Sequence, residues 1–224
     1  MIIVMNTNST DGDLEALQRH LDDRGLRPHL SRGVERTVIG VIGQIYPELQ
    51  DELGVLSGVS EVLAISKPYK LASKEFHPED TVVTIGGGVK VGGGDFVVFA
   101  GPCAVESEEQ MLATARAVKS HGASVLRGGA YKPRTSPYSF RGLGEDGLKL
   151  MAAARDETGL PIITEVMSPR DVDVVYRYSD VLQVGARNMQ NYPLLDEVGQ
   201  TDKPVMVKRS FSATYEDWLL AAEY

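Results

Sequence analysis

Between residues 1 and 67 the apolar positions switch between a period near two and one near 3.6. Ile2–Met5 is a short apolar run that predicts a strand. Within Ser9–Gly25, Leu14, Leu17 and Leu21 recur at helical spacing, and Gly25 supplies the stop. Arg27–Arg32 and Thr37–Ile42 predict strands, Pro47–Gly54 a brief helix and Val59–Lys67 a last strand. The pattern then breaks. Pro68, Pro78 and the glycine runs Gly86–Gly88 and Gly92–Gly94 bracket Val82–Ile85 and Val89–Val91, which reads as a tether followed by a glycine-edged hairpin.

From Phe96 onward the rhythm becomes strand, helix, strand. The predicted strands are Phe96–Ala100, Ser124–Arg127, Pro161–Glu165, Val181–Val184 and Pro204–Lys208. The predicted helices are Ser107–Ser120, Gly144–Thr158, Pro169–Tyr176 and Tyr192–Val198, with another opening at Thr214–Tyr224. Apolar strands separated by helices imply a parallel sheet. The fold class is therefore α/β. Residues 1–67 follow the βαββαβ order of a ferredoxin-like domain, 68–95 form a linker and hairpin, and 96–224 form repeated βα units. Those units suit either a doubly wound sheet or part of an eightfold TIM-type barrel. Polar residues of functional type stand at each strand end, namely Cys103, Arg127, Thr164-Glu165, Arg187 and Lys208-Arg209, and such gathering on one rim favours the barrel. About five βα units are present, and an eight-stranded barrel normally takes about 250 residues.

Composition narrows the function. A net charge of −8 argues against a general nucleic-acid binder. No apolar run approaches the roughly 20 residues of a membrane span. The start Met-Ile-Ile-Val-Met-Asn lacks the basic flank and cleavage pattern of a signal peptide. With a single cysteine no intrachain disulfide is possible, which fits a reducing cytoplasm. The glycine runs lack the G-x-x-x-x-G-K-[ST] spacing of a nucleotide loop.

Against this acidic background the stretch Leu126–Gly144 stands out. It sets Arg127, Lys132, Arg134 and Arg141 among Gly128, Gly129, Pro133 and Pro137, with Thr135 and Ser136 as hydroxyl donors. Cations fixed by turn-forming residues suit phosphate esters or carboxylates, because arginine offers a planar fork and lysine a mobile point charge. The plainer reading is a solvated basic loop. Cys103, in Gly-Pro-Cys-Ala-Val-Glu-Ser, could ligate a divalent metal, act as a nucleophile, or simply be a small buried hydrophobe. A nucleophile would need a histidine base. Of the four histidines, His20 and His29 lie in the first domain and His77 in the tether, while His121 precedes a strand and belongs at the opposite strand end. Arg187 would serve an anion or pair with Glu165, and Lys208 is either an anion contact or an ordinary snorkelling lysine.

Taken together, Ala-Gly-Pro-Cys-Ala-Val-Glu-Ser, Leu-Arg-Gly-Gly-Ala-Tyr-Lys-Pro-Arg-Thr-Ser-Pro-Tyr-Ser-Phe, Val-Gly-Ala-Arg-Asn-Met-Gln-Asn and Val-Lys-Arg closely resemble the 3-deoxy-D-arabino-heptulosonate 7-phosphate (DAHP) synthases. The tether Lys67–Pro78 is similar to that of the type I-beta branch, which carries an N-terminal ferredoxin-like regulatory domain. The resemblance implies a transferase that condenses phosphoenolpyruvate with erythrose 4-phosphate in an aldol-type step, opening the shikimate route to aromatic amino acids. It implies that Cys103 binds a divalent metal, Mn²⁺ or similar. Arg127, Lys132, Ala186, Arg187 and Lys208 would hold phosphoenolpyruvate, and Lys132, Pro133, Arg134 and Thr135 the erythrose 4-phosphate, with Lys132 the catalytic candidate. It further implies tyrosine or phenylalanine as effector and a homotetramer.

Ser210-Phe211 stands where many relatives have Gly-Met. The remaining metal ligands of the family come from later strands, beyond Tyr224, so this chain is expected to be an N-terminal portion with little activity alone. The related 3-deoxy-octulosonate 8-phosphate synthases share the Gly-Pro-Cys start but not normally the Lys-Pro-Arg-Thr form. They remain an alternative, as does a non-catalytic protein that binds phosphoenolpyruvate or an effector.

Overall fold

The computed structural model describes residues 1–33, 36–64 and 68–224. The chain forms two compact units, Met1–Asp80 with Glu223, and Thr81–Ala222 with Tyr224.

The first unit contains β1 (Ile2–Met5), α1 (Asp11–Asp22), β2 (Arg27–Arg32), β3 (Thr37–Ile42), α2 (Leu49–Gly54) and β4 (Val59–Leu63). Its four strands form an antiparallel sheet in the order β2-β3-β1-β4, the ferredoxin-like topology. Leu14, Leu17 and Leu21 are buried and pack with Ile3, Met5 and Ile39. Each full burial contributes roughly 1.5–3 kcal/mol. Helix α1 is shorter than Ser9–Gly25 because Thr10 is its cap: the Thr10 hydroxyl accepts from Asp13 N while the Asp13 carboxylate accepts from Thr10 N. Strand β4 ends at Leu63, and residues 65–67 of the predicted strand lie outside the described residues.

The second unit opens with a hairpin, β5 (Val83–Thr84) and β6 (Lys90–Val91). There follow β7 (Phe99–Ala100), α3 (Glu108–Ser120), β8 (Val125–Arg127), α4 (Glu145–Thr158), β9 (Ile162–Val166), α5 (Val172–Tyr178), β10 (Val181–Val184), α6 (Tyr192–Gly199), β11 (Val205–Val207) and α7 (Tyr215–Ala222). The predicted helix Pro169–Tyr176 is split, since Pro169–Asp171 form a tight turn capped by Ser168 before α5 begins. Phe96 is 93% exposed and outside β7, which keeps only the two residues that pair with Val125 and Leu126.

The five parallel strands lie in the order β11-β10-β9-β8-β7. Strand order follows chain order without reversal. A doubly wound sheet has a switch point where the order reverses, so this is a singly wound partial βα barrel. Alternation sorts the side chains into two faces. Leu126, Ile162, Leu182 and Val184 join the core made with the helices. Val125, Ile163 and Val181 face the other way and pack with Phe99, Met206 and the hairpin residues Ile85, Val89 and Val91. Two positions further along the same face come Arg127, Glu165, Gln183 and Lys208. An apolar floor thus lies beneath a polar layer at the C-terminal strand ends. Among the described residues no helix is long and apolar enough to cross a membrane.

Candidate anion site at the strand ends

A cleft of about 510 Å³ opens above this polar layer, lined by Cys103, Arg127, Lys132, Pro133, Arg134, Thr135, Ser136, Ser139, Glu165, Arg187 and Lys208. Five cations therefore face one carboxyl group in a chain of net charge −8. That arrangement attracts a multiply charged anion, because clustered cations in a cleft focus the field.

Lys132 is buried, and its ammonium donates to the Cys103 carbonyl at 2.6 Å and to Cys103 Sγ at 3.3 Å. Arg127 projects from β8 and donates through Nη1 to the carbonyls of Pro102 (3.2 Å) and Cys103 (3.3 Å). The loop after β8 is drawn back on itself where Lys132 N donates to Arg141 O at 2.8 Å. Farther out, Arg134 Nε donates to Phe140 O at 3.2 Å, and Ser139 N to Ser136 O at 3.3 Å. These main-chain contacts hold the cations as a cradle before any ligand arrives.

The structure brings eight of the nine sequence-derived site residues together: Cys103, Arg127, Lys132, Pro133, Arg134, Thr135, Arg187 and Lys208. Ala186 sits in the turn after β10 and is not among the lining residues. Cys103 is exposed, which removes the buried-hydrophobe reading. His121 closes α3 ahead of β8, at the strand end opposite the cleft. Among the described residues no ion pair joins Arg187 to Glu165. Ser136, read from the sequence as a hydroxyl donor, and Glu165, read as one of the polar strand-end residues, both line the cleft, and Ser139 joins them without having been marked by any pattern. Period-two alternation from Ile163 would have pointed Glu165 inward with Arg127.

Two groups here titrate unusually. The hydrogen bond and charge of Lys132, with a smaller contribution from Arg127, hold the Cys103 thiol below the ordinary thiol range. Burial pushes the Glu165 carboxyl up, opposed by Lys132, Arg127, Lys208 and Arg187. Replacing Lys132 with methionine is expected to slow alkylation of Cys103 by iodoacetamide at neutral pH and to shift the rate profile to higher pH. Unchanged profiles would show that the ammonium does not govern the thiol.

A divalent metal does not fit the donors of this chain by themselves. Cys103 is a lone thiol whose polar neighbours are cations, and among the described residues no three His, Cys, Asp or Glu side chains could hold an ion. Protein sites for such ions normally supply several donors.

Comparison with known proteins shows the family to which the chain belongs. The model of the DAHP synthetase I family matches residues 76–224, and that of the DAHP synthase ferredoxin-like domain matches residues 1–67. The chain is 47% identical over 224 residues to the phospho-2-dehydro-3-deoxyheptonate aldolase of Thermotoga maritima, covering all of this chain and 66% of the relative. A 2-dehydro-3-deoxyphosphooctonate aldolase of Desulfatibacillum aliphaticivorans is 35% identical over 134 residues, 56% of this chain and 49% of its own length. Among solved structures, the DAHP synthase of T. maritima superposes with a TM-score of 0.68 at 45% identity, over 100% of this chain and 64% of that one. A truncated form of the T. maritima enzyme superposes with a TM-score of 0.62 over 70% of this chain. The chain spans about two thirds of the length of the T. maritima relative.

Proposed function

The chain belongs to the DAHP synthetase I family, a family of enzymes, and on that premise we propose that its cationic cleft binds phosphoenolpyruvate and erythrose 4-phosphate for condensation to DAHP. The observation that carries this reading is the convergence of five cations on one cleft of an acidic chain. Two phosphates and a carboxylate must be gathered against their mutual repulsion, and preorganised cations offset it.

Arg127, Lys132, Arg187 and Lys208 surround the inner end of the cleft beside Glu165 and suit the carboxylate and phosphate of phosphoenolpyruvate. Arg134 and Thr135, on the outer loop with Ser136 and Ser139, suit the sugar phosphate. In the reaction C3 of phosphoenolpyruvate bonds to the aldehyde carbon, water adds at C2, and inorganic phosphate leaves with its bridging oxygen. The Lys132 ammonium is a donor for oxygen atoms on which negative charge grows. No step is assigned to a metal, since Cys103 alone does not form its site.

The first unit is the proposed regulatory domain, and within it lies a separate cleft of about 350 Å³. Val4, Val38, Leu63 and Phe76 give it apolar walls, and Arg36 and Glu61 supply opposite charges. A ring, a carboxylate and an ammonium group match that lining, which supports tyrosine or phenylalanine as effector. A homotetramer and a cytoplasmic location complete the reading.

Calorimetric titration with phosphoenolpyruvate, and with pyruvate as the unphosphorylated comparator, tests the anion site directly. Phosphoenolpyruvate is expected to bind at least about a hundredfold more tightly, the worth of one or two charge-assisted hydrogen bonds. Equal affinities, or none, would remove the reading.

A further inference from the structure

We propose that Gln183 is a positioning residue of the anion cleft, holding the Glu165 carboxyl through one oxygen so that this acid keeps a fixed place beside the bound anion. The identity of the anion rests on the function proposed above; the placement of the acid rests on the strands. Glu165 and Gln183 are direct neighbours across the parallel β9/β10 pair and share the inward face. Gln183 Nε2 donates to Glu165 Oε2 at 3.1 Å, and both residues are buried, at 4% and 8% exposure. The other oxygen, Oε1, lies over Gly185, where an added Cβ would stand 2.0 Å from it. The carboxyl is thus held on one side by an amide and on the other by a bare Cα.

An amide suits this duty because it works with either form of the acid. Its NH₂ donates to the carboxylate, and after a half-turn its oxygen accepts from the carboxylic acid. The charged groups around Glu165 are Arg127 on β8, Lys132 on the following loop, Arg187 after β10 and Lys208 after β11, with the Cys103 thiol across the cleft. An entering dianion adds negative charge to that set and favours the protonated acid. Anion binding is therefore linked to proton uptake at Glu165, and Gln183 keeps the carboxyl satisfied before and after.

The test measures sulfate affinity against pH by calorimetry on the whole chain, since sulfate does not titrate near neutrality. A neutral Glu165 does not repel the anion and a carboxylate does, so wild-type affinity should fall as pH rises through the Glu165 titration. Glu165→Gln should abolish the inflection. In Gln183→Met both forms lose a partner, but the bond to the carboxylate is the stronger of the two, so the inflection should move to higher pH, by roughly tenfold in proton affinity. Gln183→Glu, an isostere that keeps the test alive should the methionine variant not fold, should move it the same way because adjacent carboxyls share a proton. Folded Gln183 variants whose profiles superimpose on the wild type, or a wild-type profile without an inflection, would overturn the positioning role. Loss of phosphoenolpyruvate binding alongside a persisting, Gln183-dependent sulfate inflection would instead overturn the substrate assignment and leave this role standing.

Discussion

Arg127→Ala is expected to weaken phosphoenolpyruvate binding by about two orders of magnitude, the largest loss from any single cation of the cleft. Two effects add. The guanidinium offers planar, bidentate donation to a carboxylate or phosphate, and each charge-assisted hydrogen bond is worth roughly 1.5–3 kcal/mol. It also fastens the carbonyls of Pro102 and Cys103, so its loss loosens the loop that Lys132 holds from the other side. Arg127→Lys should recover only part of the affinity, because an ammonium restores charge without the fork. The comparator is Arg116→Ala. Arg116 pairs with Glu157 across the exposed faces of α3 and α4, and removing such a solvent-screened pair should change stability little and leave affinity untouched. Isothermal titration of the three variants reads this ranking directly. Equal losses for Arg127→Ala and Arg116→Ala would mean that affinity follows total charge and not the cleft.

That ranking depends on placement that was partly legible in the sequence. Leu14, Leu17 and Leu21 announced α1, and the βαββαβ order of the first unit followed from period changes alone. The five parallel strands of the second unit were visible as apolar runs; periodicity alone left open a doubly wound sheet or a barrel, and only the polar residues at the strand ends favoured the barrel. The monotonic order in the sheet is a tertiary fact. Phe96 shows the complementary limit: it belongs to an apolar run and yet lies 93% exposed, since pairing with β8 begins only at Phe99. At the site, the cations of Leu126–Gly144 were conspicuous by composition. Glu165 was visible as a polar strand-end residue, but Gln183 was not, since its meaning comes from sitting opposite Glu165 on the inward face, two positions above Val181.

Gly101→Ala is expected to unfold or severely destabilise the second unit, by more than about 4 kcal/mol, a range reserved for a few mechanisms such as backbone strain and overpacking. Gly101 follows β7 on the inward face, beside Arg127. Its φ is +153°, and a Cβ there would lie 1.8 Å from the Arg127 carbonyl oxygen and 3.0 Å from its nitrogen. Both obstacles are main chain of the central sheet, so no side-chain rotation relieves the clash. Relief requires β7 and β8 to separate, which breaks the Phe99–Val125 and Ala100–Leu126 pairing and shifts Arg127, Pro102 and Cys103 together. Gly159→Ala isolates the conformational part of the cost. Gly159 has φ +72° at the end of α4 with nothing within 4 Å of an added Cβ, so about 1–2 kcal/mol is expected there. Trp218 is the sole tryptophan and donates to the Val207 carbonyl at 2.7 Å, so its fluorescence reports the second unit during urea unfolding. A Gly101→Ala transition within 1–2 kcal/mol of that of Gly159→Ala would show that the strands can part cheaply. In that case the contact with Arg127 does not set the geometry of the cleft. A collapse of the Gly101→Ala transition, with phosphoenolpyruvate binding lost in step, would mean that one close backbone approach holds both the sheet edge and the anion cradle.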